Sequence, residues 1–366
     1  MIRDGRTSSY RGSMRSTATR ALRWWIGSVT FAISSATAVL APAPLCAQDD
    51  DLFKGTPLAG ARVEMVGRSL ALGLIVGIAA TPDGSVLIVD RSTSRVQHIT
   101  PDGNLATTYG GPGEGPGEFR FPYRVAELSD GSVIVFDLAT KRFSEFTHDG
   151  KFVRRWATSA DIVSLTDIVP LSGRGFAISG IVRDPRAGSR AVHLFDSTFR
   201  LIRSFGDLPR ARSRSLRETW GAGSLRRTPS GDLLLSRGIP YELNWYSVEG
   251  EHQRRVAIAK RTSALADDLY AVTTSGATVT TRNRDDVAYQ GPASQLPDGR
   301  IISIRIDGKT VYWDVLSASG RLVWSGRKPA RVAGYFGTDR TMSLLWFSGE
   351  TGDGEPVLYR VTLAVK

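Results

Sequence analysis

Between Leu74 and Trp156, apolar residues come in short runs rich in β-branched and aromatic side chains, and the runs are separated by turns that carry glycine. In the clearest stretch Tyr123–Leu128 closes on Ser129-Asp130-Gly131, and Ser132–Asp137 (SVIVFD) follows. Leu138–Lys141 then turns, Arg142–Thr147 (RFSEFT) alternates, and His148-Asp149-Gly150 leads into Lys151–Trp156. Glycine in those turns accepts the positive φ of a tight hairpin. The pattern predicts four short antiparallel strands. One such meander cannot bury both of its faces, so copies must stack radially and close into a ring.

The same pattern recurs along the chain. Blade one is expected from Leu74–Ala80, Ser85–Asp90, Arg95–Thr100 and Asn104–Tyr109, and blade two is the stretch above. Blade three takes Ile162–Pro170, Gly175–Ser179, Ala191–Phe195 and Leu201–Phe205. Blade four takes Gly223–Arg227, Asp232–Arg237, Glu242–Val248 and Glu251–Ile258. Residues 262–290 read as an inter-blade insertion, with a helical turn over Ser263–Tyr270 and a Thr-rich stretch. Blade five takes Ala293–Leu296, Arg300–Arg305, Thr310–Leu316 and Arg321–Trp324. The last section, Val332–Gly337, Thr341–Phe347 and Pro356–Val365, lacks a fourth strand, and Ala61–Gly67 is an orphan. Pairing the two closes the ring and leaves no open sheet edge at the junction. The expectation is therefore an all-β fold, a six-bladed propeller over residues 61–366; five blades with an unrelated terminal sheet is the competing count.

The front of the chain has a different character. Six arginines (Arg3, Arg6, Arg11, Arg15, Arg20, Arg23) precede the uncharged, largely apolar Trp24–Ala41, and Pro42–Ala47 ends the segment. Residues 1–47 read as a signal peptide cut after Ala47, residues 48–60 as a linker, and the chain as exported to the periplasm or beyond. The alternative is an uncleaved helix that anchors the chain to a membrane. Cleavage removes Cys46, the one cysteine, and with it any disulfide or thiolate chemistry. It also removes six arginines and one aspartate, which lowers the formal charge from +11 to +6. A mildly basic exported domain suits anionic envelope material, and the leader argues against nucleic acid.

The run GEGPGEF-RFP, followed by DGSVIVFD, an arginine shortly after, and a second DG turn, resembles the NHL-repeat six-bladed β-propellers of bacterial secreted and envelope proteins. That resemblance implies architecture more strongly than chemistry. The group spans scaffolds, carbohydrate or peptide binders, and a few metal-dependent lyases and lactonases. Gly110–Gly117 lacks the Gly-Lys-Ser/Thr ending of a phosphate cradle and reads as a connector. Ser325-x-x-Lys328 stands without the companion motifs of a serine acylase. His98, His148, His193 and His252 all fall on outer strands or turns, so no converging histidine metal site is expected. Calcium held by carboxylates and main-chain oxygens is the one cofactor left open.

Counting one offset from each hairpin glycine marks a ring of positions: Asp90, Asp137, Ser179, Arg237, Arg305 and Trp346. Asp90 would oppose Arg237 and Asp137 would oppose Arg305 around one channel mouth, a setting for a small anionic or zwitterionic ligand. Against this, Asp90 and Asp137 each precede an arginine, Arg95 and Arg142, by the same interval, which predicts a local brace across one hairpin. A second candidate is the basic run Arg210, Arg212, Arg214, Arg217, Arg226 and Arg227, suited to an envelope protein or polysaccharide or to a solvated connector. The function classes that remain are a binding module at the mouth, a metal-dependent hydrolase or lyase, and a passive scaffold.

Overall fold

The computed structural model describes residues 47–48, 61–66, 70–156, 161–208, 222–237, 242–257, 270–275, 278–283, 288–307, 310–327, 332–338, 344–351 and 353–363. Five sheets of four antiparallel strands follow one another along the chain. They begin with the innermost strands Ile75–Ala80, Pro122–Glu127, Asp161–Pro170, Ser224–Arg227 and Ala288–Gln295. The sixth is built from Val332–Thr338, Leu344–Glu350 and Pro356–Thr362, and Arg62–Val66 pairs antiparallel with the last of these, Val63 opposite Val361. The chain is a six-bladed β-propeller whose N-terminal strand completes the final blade. Ala47–Gln48 adds a short fifth strand outside it, opposite Met65 and Glu64.

Period-two alternation explains how each blade buries both faces. In Val133–Asp137, Val133 and Val135 pack toward blade one with Val89, Tyr109 and Phe119, whereas Ile134 and Phe136 pack toward blade three with Phe176 and Phe199. Each of the six seams between blades has its own buried apolar cluster. Leu233 and Leu235 join Phe205 between blades three and four, and Leu234 and Leu243 join Ile301 between four and five. Trp313 stacks on Phe347 between five and six, and Trp346 and Leu358 meet Ile75 and Val86 between six and one. Six seams for six blades is the signature of a closed ring, so the five-blade count is excluded.

The strand directions sort the connections into two faces. In blades one to five the hairpins joining first to second and third to fourth strands lie on one face. On that face Gly84, Gly131, Gly231 and Gly299 take the positive φ their sequence predicts. The turns between second and third strands and the connectors between blades lie on the other, around the mouth where the innermost strands begin.

Three local expectations are revised. The Thr-rich insertion forms a hairpin of Tyr270–Ser275 with Thr278–Asn283, because β-branched residues favour extended backbone; residues 263–269 of the expected helical turn lie outside the described residues. The second strand of blade three runs to Arg183, beyond Ser179, and pairs with a ten-residue innermost strand. The innermost strand of blade five starts at Ala288 instead of Ala293. The expected leader, apart from Ala47, and the expected linker, apart from Gln48, lie outside the described residues.

Bulges in these inner strands bring backbones unusually close. A Cβ on Gly180 would lie 2.3 Å from the carbonyl oxygen of Ser164, a main-chain atom that cannot swing away. Gly180→Ala is therefore expected to destabilise the domain by about 1–3 kcal/mol. A urea midpoint equal to wild type would contradict this close approach.

Candidate functional site

Asp90 and Asp137 sit at the mouth ends of their second strands, and both carboxylates are buried. Asp90 accepts hydrogen bonds from the main-chain N–H of Gly73 (3.1 Å) and Ser92 (2.9 Å). Asp137 accepts from the N–H of Arg120 (2.8 Å), Phe121 (2.9 Å) and Thr140 (2.8 Å). The register sets Arg95 opposite Asp90 and Arg142 opposite Asp137 as the spacing predicts, but backbone amides take the carboxylates. Each aspartate thus ties the connector that enters its blade to the turn that leaves its second strand. Ser94 and Lys141, with φ of 52° and 56°, occupy equivalent left-handed positions in the two turns.

Arg237 and Arg305 are also held within their own blades. Arg237 is 8% exposed and its Nη1 lies 3.2 Å from Oε1 of Glu242, whose other oxygen pairs with Arg255. Arg305 donates from Nε to Asp314 (2.9 Å) and from Nη2 to Ser325 (3.2 Å), and lies over the ring of Tyr312 at 4.3 Å. Ser179 is buried opposite Asp167, short of the mouth because the blade-three hairpin is longer. Trp346 is fully buried in the seam between blades six and one, so it does not face the mouth. The offset fails there because blade six has no DG hairpin to count from, and by register Gly349, opposite Val332, takes the place of Asp90. The structure therefore does not assemble the six positions into one ligand-facing ring.

What these aspartates position is a different set. Arg91 follows Asp90 and its guanidinium lies over the ring of Phe121 at 4.1 Å. Phe121 neighbours Tyr123, ring centroids 6.3 Å apart, and the guanidinium of Arg124 lies over Tyr123 at 3.9 Å. Arg91 is exposed, Phe121 and Tyr123 half-buried, and Asp137 fixes Phe121 through its amide. Arg91 makes no side-chain hydrogen bond or ion pair among the described residues, so its whole donor fork is available. Arg124, one step into the bore, donates from Nη1 to the carbonyls of Val76 (2.6 Å) and Tyr123 (2.8 Å) and from Nε to that of Thr166, linking three blades. The signal for this set is the RFPYR run after the glycine-rich connector, aromatic and arginine in alternation where an innermost strand begins.

Of the basic run, Arg226 and Arg227 are described; Arg210, Arg212, Arg214 and Arg217 lie outside the described residues. Arg226 reaches Asp167 from blade four (2.6 Å), and Asp167 also accepts from Ser224 Oγ (2.7 Å) and the N–H of Leu225 (3.0 Å). Arg227 donates to the carbonyl of Pro170 (3.2 Å). These two arginines are thus used to join blades three and four. The connector Gly110–Gly117 is likewise structural: Arg155 donates to the carbonyls of Glu114 (3.1 Å), Gly115 (2.6 Å) and Glu118 (3.1 Å).

The histidines fall where the strand pattern places them. His98 is buried with its ring edge-on to His148 at 5.3 Å, and His193 is buried between Ser204 Oγ (2.8 Å) and the Gly180 carbonyl (3.2 Å). Burial pushes the His193 imidazole pKa down to about 4, against the raising effect of its main-chain hydrogen bonds. Among the described residues no three His, Cys, Asp or Glu side chains converge as a metal site. Among the described residues, too, no helix is long and apolar enough to cross a membrane.

No protein-family model matches the chain, and no curated protein matches it in sequence. Solved structures do. A candidate exported protein of Bacteroides fragilis superposes with a TM-score of 0.59 at 11% identity, covering 87% of this chain and 97% of its own. A member of the DUF4221 family from Bacteroides vulgatus gives 0.53 at 8% identity, with 83% and 98% covered. A gluconolactonase of Xanthomonas campestris gives 0.51 at 14% identity, with 84% and 91% covered. At these identities the likeness concerns architecture, and the chain shares with all three the fold its own seams define, a six-bladed β-propeller.

Proposed function

We propose that the chain is an exported propeller of the NHL-repeat kind that binds an anionic ligand or partner at the mouth where its innermost strands begin. The observation that carries this reading is Arg91: an exposed guanidinium laid over Phe121, with every N–H donor open. A planar fork held on a ring keeps its edge aimed outward and suits bidentate capture of a carboxylate. Tyr123 extends the apolar floor, and Asp90 and Asp137 keep the surrounding loops in place from behind. Arginine and aromatic side chains together are the usual anchors of recognition surfaces.

Titration calorimetry of the full chain with galacturonate and with N-acetylglutamate tests this. At least one carboxylate is expected to bind, and Arg91→Ala is expected to weaken it about tenfold, the worth of one charge-assisted contact. The unfolding midpoint should stay where it is, because Arg91 is exposed and its side chain makes no hydrogen bond or ion pair among the described residues. Binding of neither compound, or equal binding by wild type and variant, would overturn the reading.

A further inference from the structure

The mouth carries more open positive charge than one guanidinium. Arg95 and Arg142 occupy the same place in blades one and two, first in their third strands, and both are exposed. The acid opposite each, Asp90 or Asp137, is committed to main-chain amides. Neither guanidinium has a hydrogen-bond or ion-pair partner among the described residues. Arg91 sits in the turn just before Arg95 and leans toward blade two over Phe121. Two exposed acids of these connectors have partners of their own: Glu114 pairs with Arg120 (3.1 Å) and Asp161 with Arg183 (3.8 Å).

Three guanidiniums without a hydrogen-bond or ion-pair partner among the described residues, Arg91, Arg95 and Arg142, thus stand at the mouth ends of blades one and two, the same ends that carry Phe121, Tyr123 and the 54% exposed Leu74. A single small anion satisfies one fork and leaves two. An extended ligand that repeats one carboxylate per unit satisfies all of them, and the apolar side chains favour a unit with an apolar ring face. We infer that the ligand class is a linear polyuronate, a chain of acidic sugars laid across the mouth over blades one and two. This rests on the mouth reading above and narrows it to a ligand of several units.

Calorimetry with galacturonate oligomers from one to six units, at low and at physiological salt, tests the inference. Affinity is expected to climb with length by about tenfold for each further guanidinium engaged. Arg95→Gln and Arg142→Gln should each remove one such step for the oligomers and flatten their salt dependence, and should lower the affinity for the single sugar less than Arg91→Ala does. Binding of the single sugar with no gain on lengthening, or oligomer affinity untouched in both variants, would overturn the extended ligand and leave mouth binding standing. No binding of any galacturonate, with N-acetylglutamate still bound, would overturn the sugar class alone. Failure of every carboxylate would bring down both readings. Tighter binding of oligoglutamate or of single-stranded nucleic acid at equal charge would overturn the polyuronate in favour of that polymer.

Discussion

Trp346→Ala is expected to lower the unfolding free energy by about 3–5 kcal/mol, the range for deleting a large buried aromatic side chain. Trp346 is fully buried among Val66, Leu72, Ile75, Val86, Ile88, Ile99 and Leu358, each no more than 8% exposed. Those residues come from the N-terminal strand, the last blade and the first, so the cavity would open in the seam that closes the ring. The strand that zips the circle, Arg62–Val66, adds Val66 to this cluster and Val63 and Met65 to the one on its other face. Loss at this seam should therefore loosen both neighbours at once. Urea unfolding measures the effect directly, and hydrogen exchange should show weakened protection in Arg62–Val66 and Ile75–Ala80. A loss below about 1 kcal/mol would mean that the seam collapses onto the gap or carries little of the stability.

The fate of Trp346 also shows what alternation can and cannot say. Blade boundaries were readable because hairpin glycines and period-two runs are local properties, and strands of blades one and two fall within a residue or so of their expected limits. Closure was readable too, since an orphan strand and a blade short of one strand admit a simple solution. An offset counted from a hairpin glycine, however, assumes equal strand lengths. Blade three lengthens its first hairpin and blade six lacks the glycine, so Ser179 and Trp346 fall away from the mouth.

The aspartates were found for a reason that composition does not distinguish. A carboxylate at the end of a strand can face a ligand, an arginine or the backbone, and only three-dimensional placement of the next connector decides. Here Gly73, Arg120 and Phe121 bring their amides to Asp90 and Asp137, because each connector must turn sharply into its innermost strand. That choice has a consequence for binding: it consumes the acids and leaves Arg95 and Arg142 open. In the proposed reading the ligand contact expected of the aspartates passes to the residues beside them, with Phe121 and Tyr123 of the RFPYR run under Arg91 and Arg124.

Acidification from about pH 6.5 to about pH 4 is expected to destabilise the domain through His193. The imidazole is fully buried and its pKa falls from 6.5 to about 4, first because burial disfavours the charged form. The folded state keeps it neutral while the unfolded chain takes up a proton near 6.5, so stability is intact above that value and drains away as pH falls toward 4. A depression of this size corresponds to a loss on the order of 3 kcal/mol once pH reaches the folded-state value. His98 titrates in the same direction, lowered first by burial and then by His148, against the attraction of Asp83. Carboxylates act in a separate window. Asp83 and Asp130 sit below their ordinary 3.8 because hydroxyl and amide hydrogen bonds outweigh the opposing effect of burial, so their support is present above that value and lost only below it. Urea unfolding of wild type and His193→Gln across pH 7.5 to 4 separates the contributions. Whatever the offset at pH 7.5, the variant should close on the wild type as pH drops, since its side chain no longer takes up a proton. Curves that stay parallel through this range would show that His193 takes up its proton at the same pH in the fold as in the unfolded chain, and burial would then not be what sets its protonation.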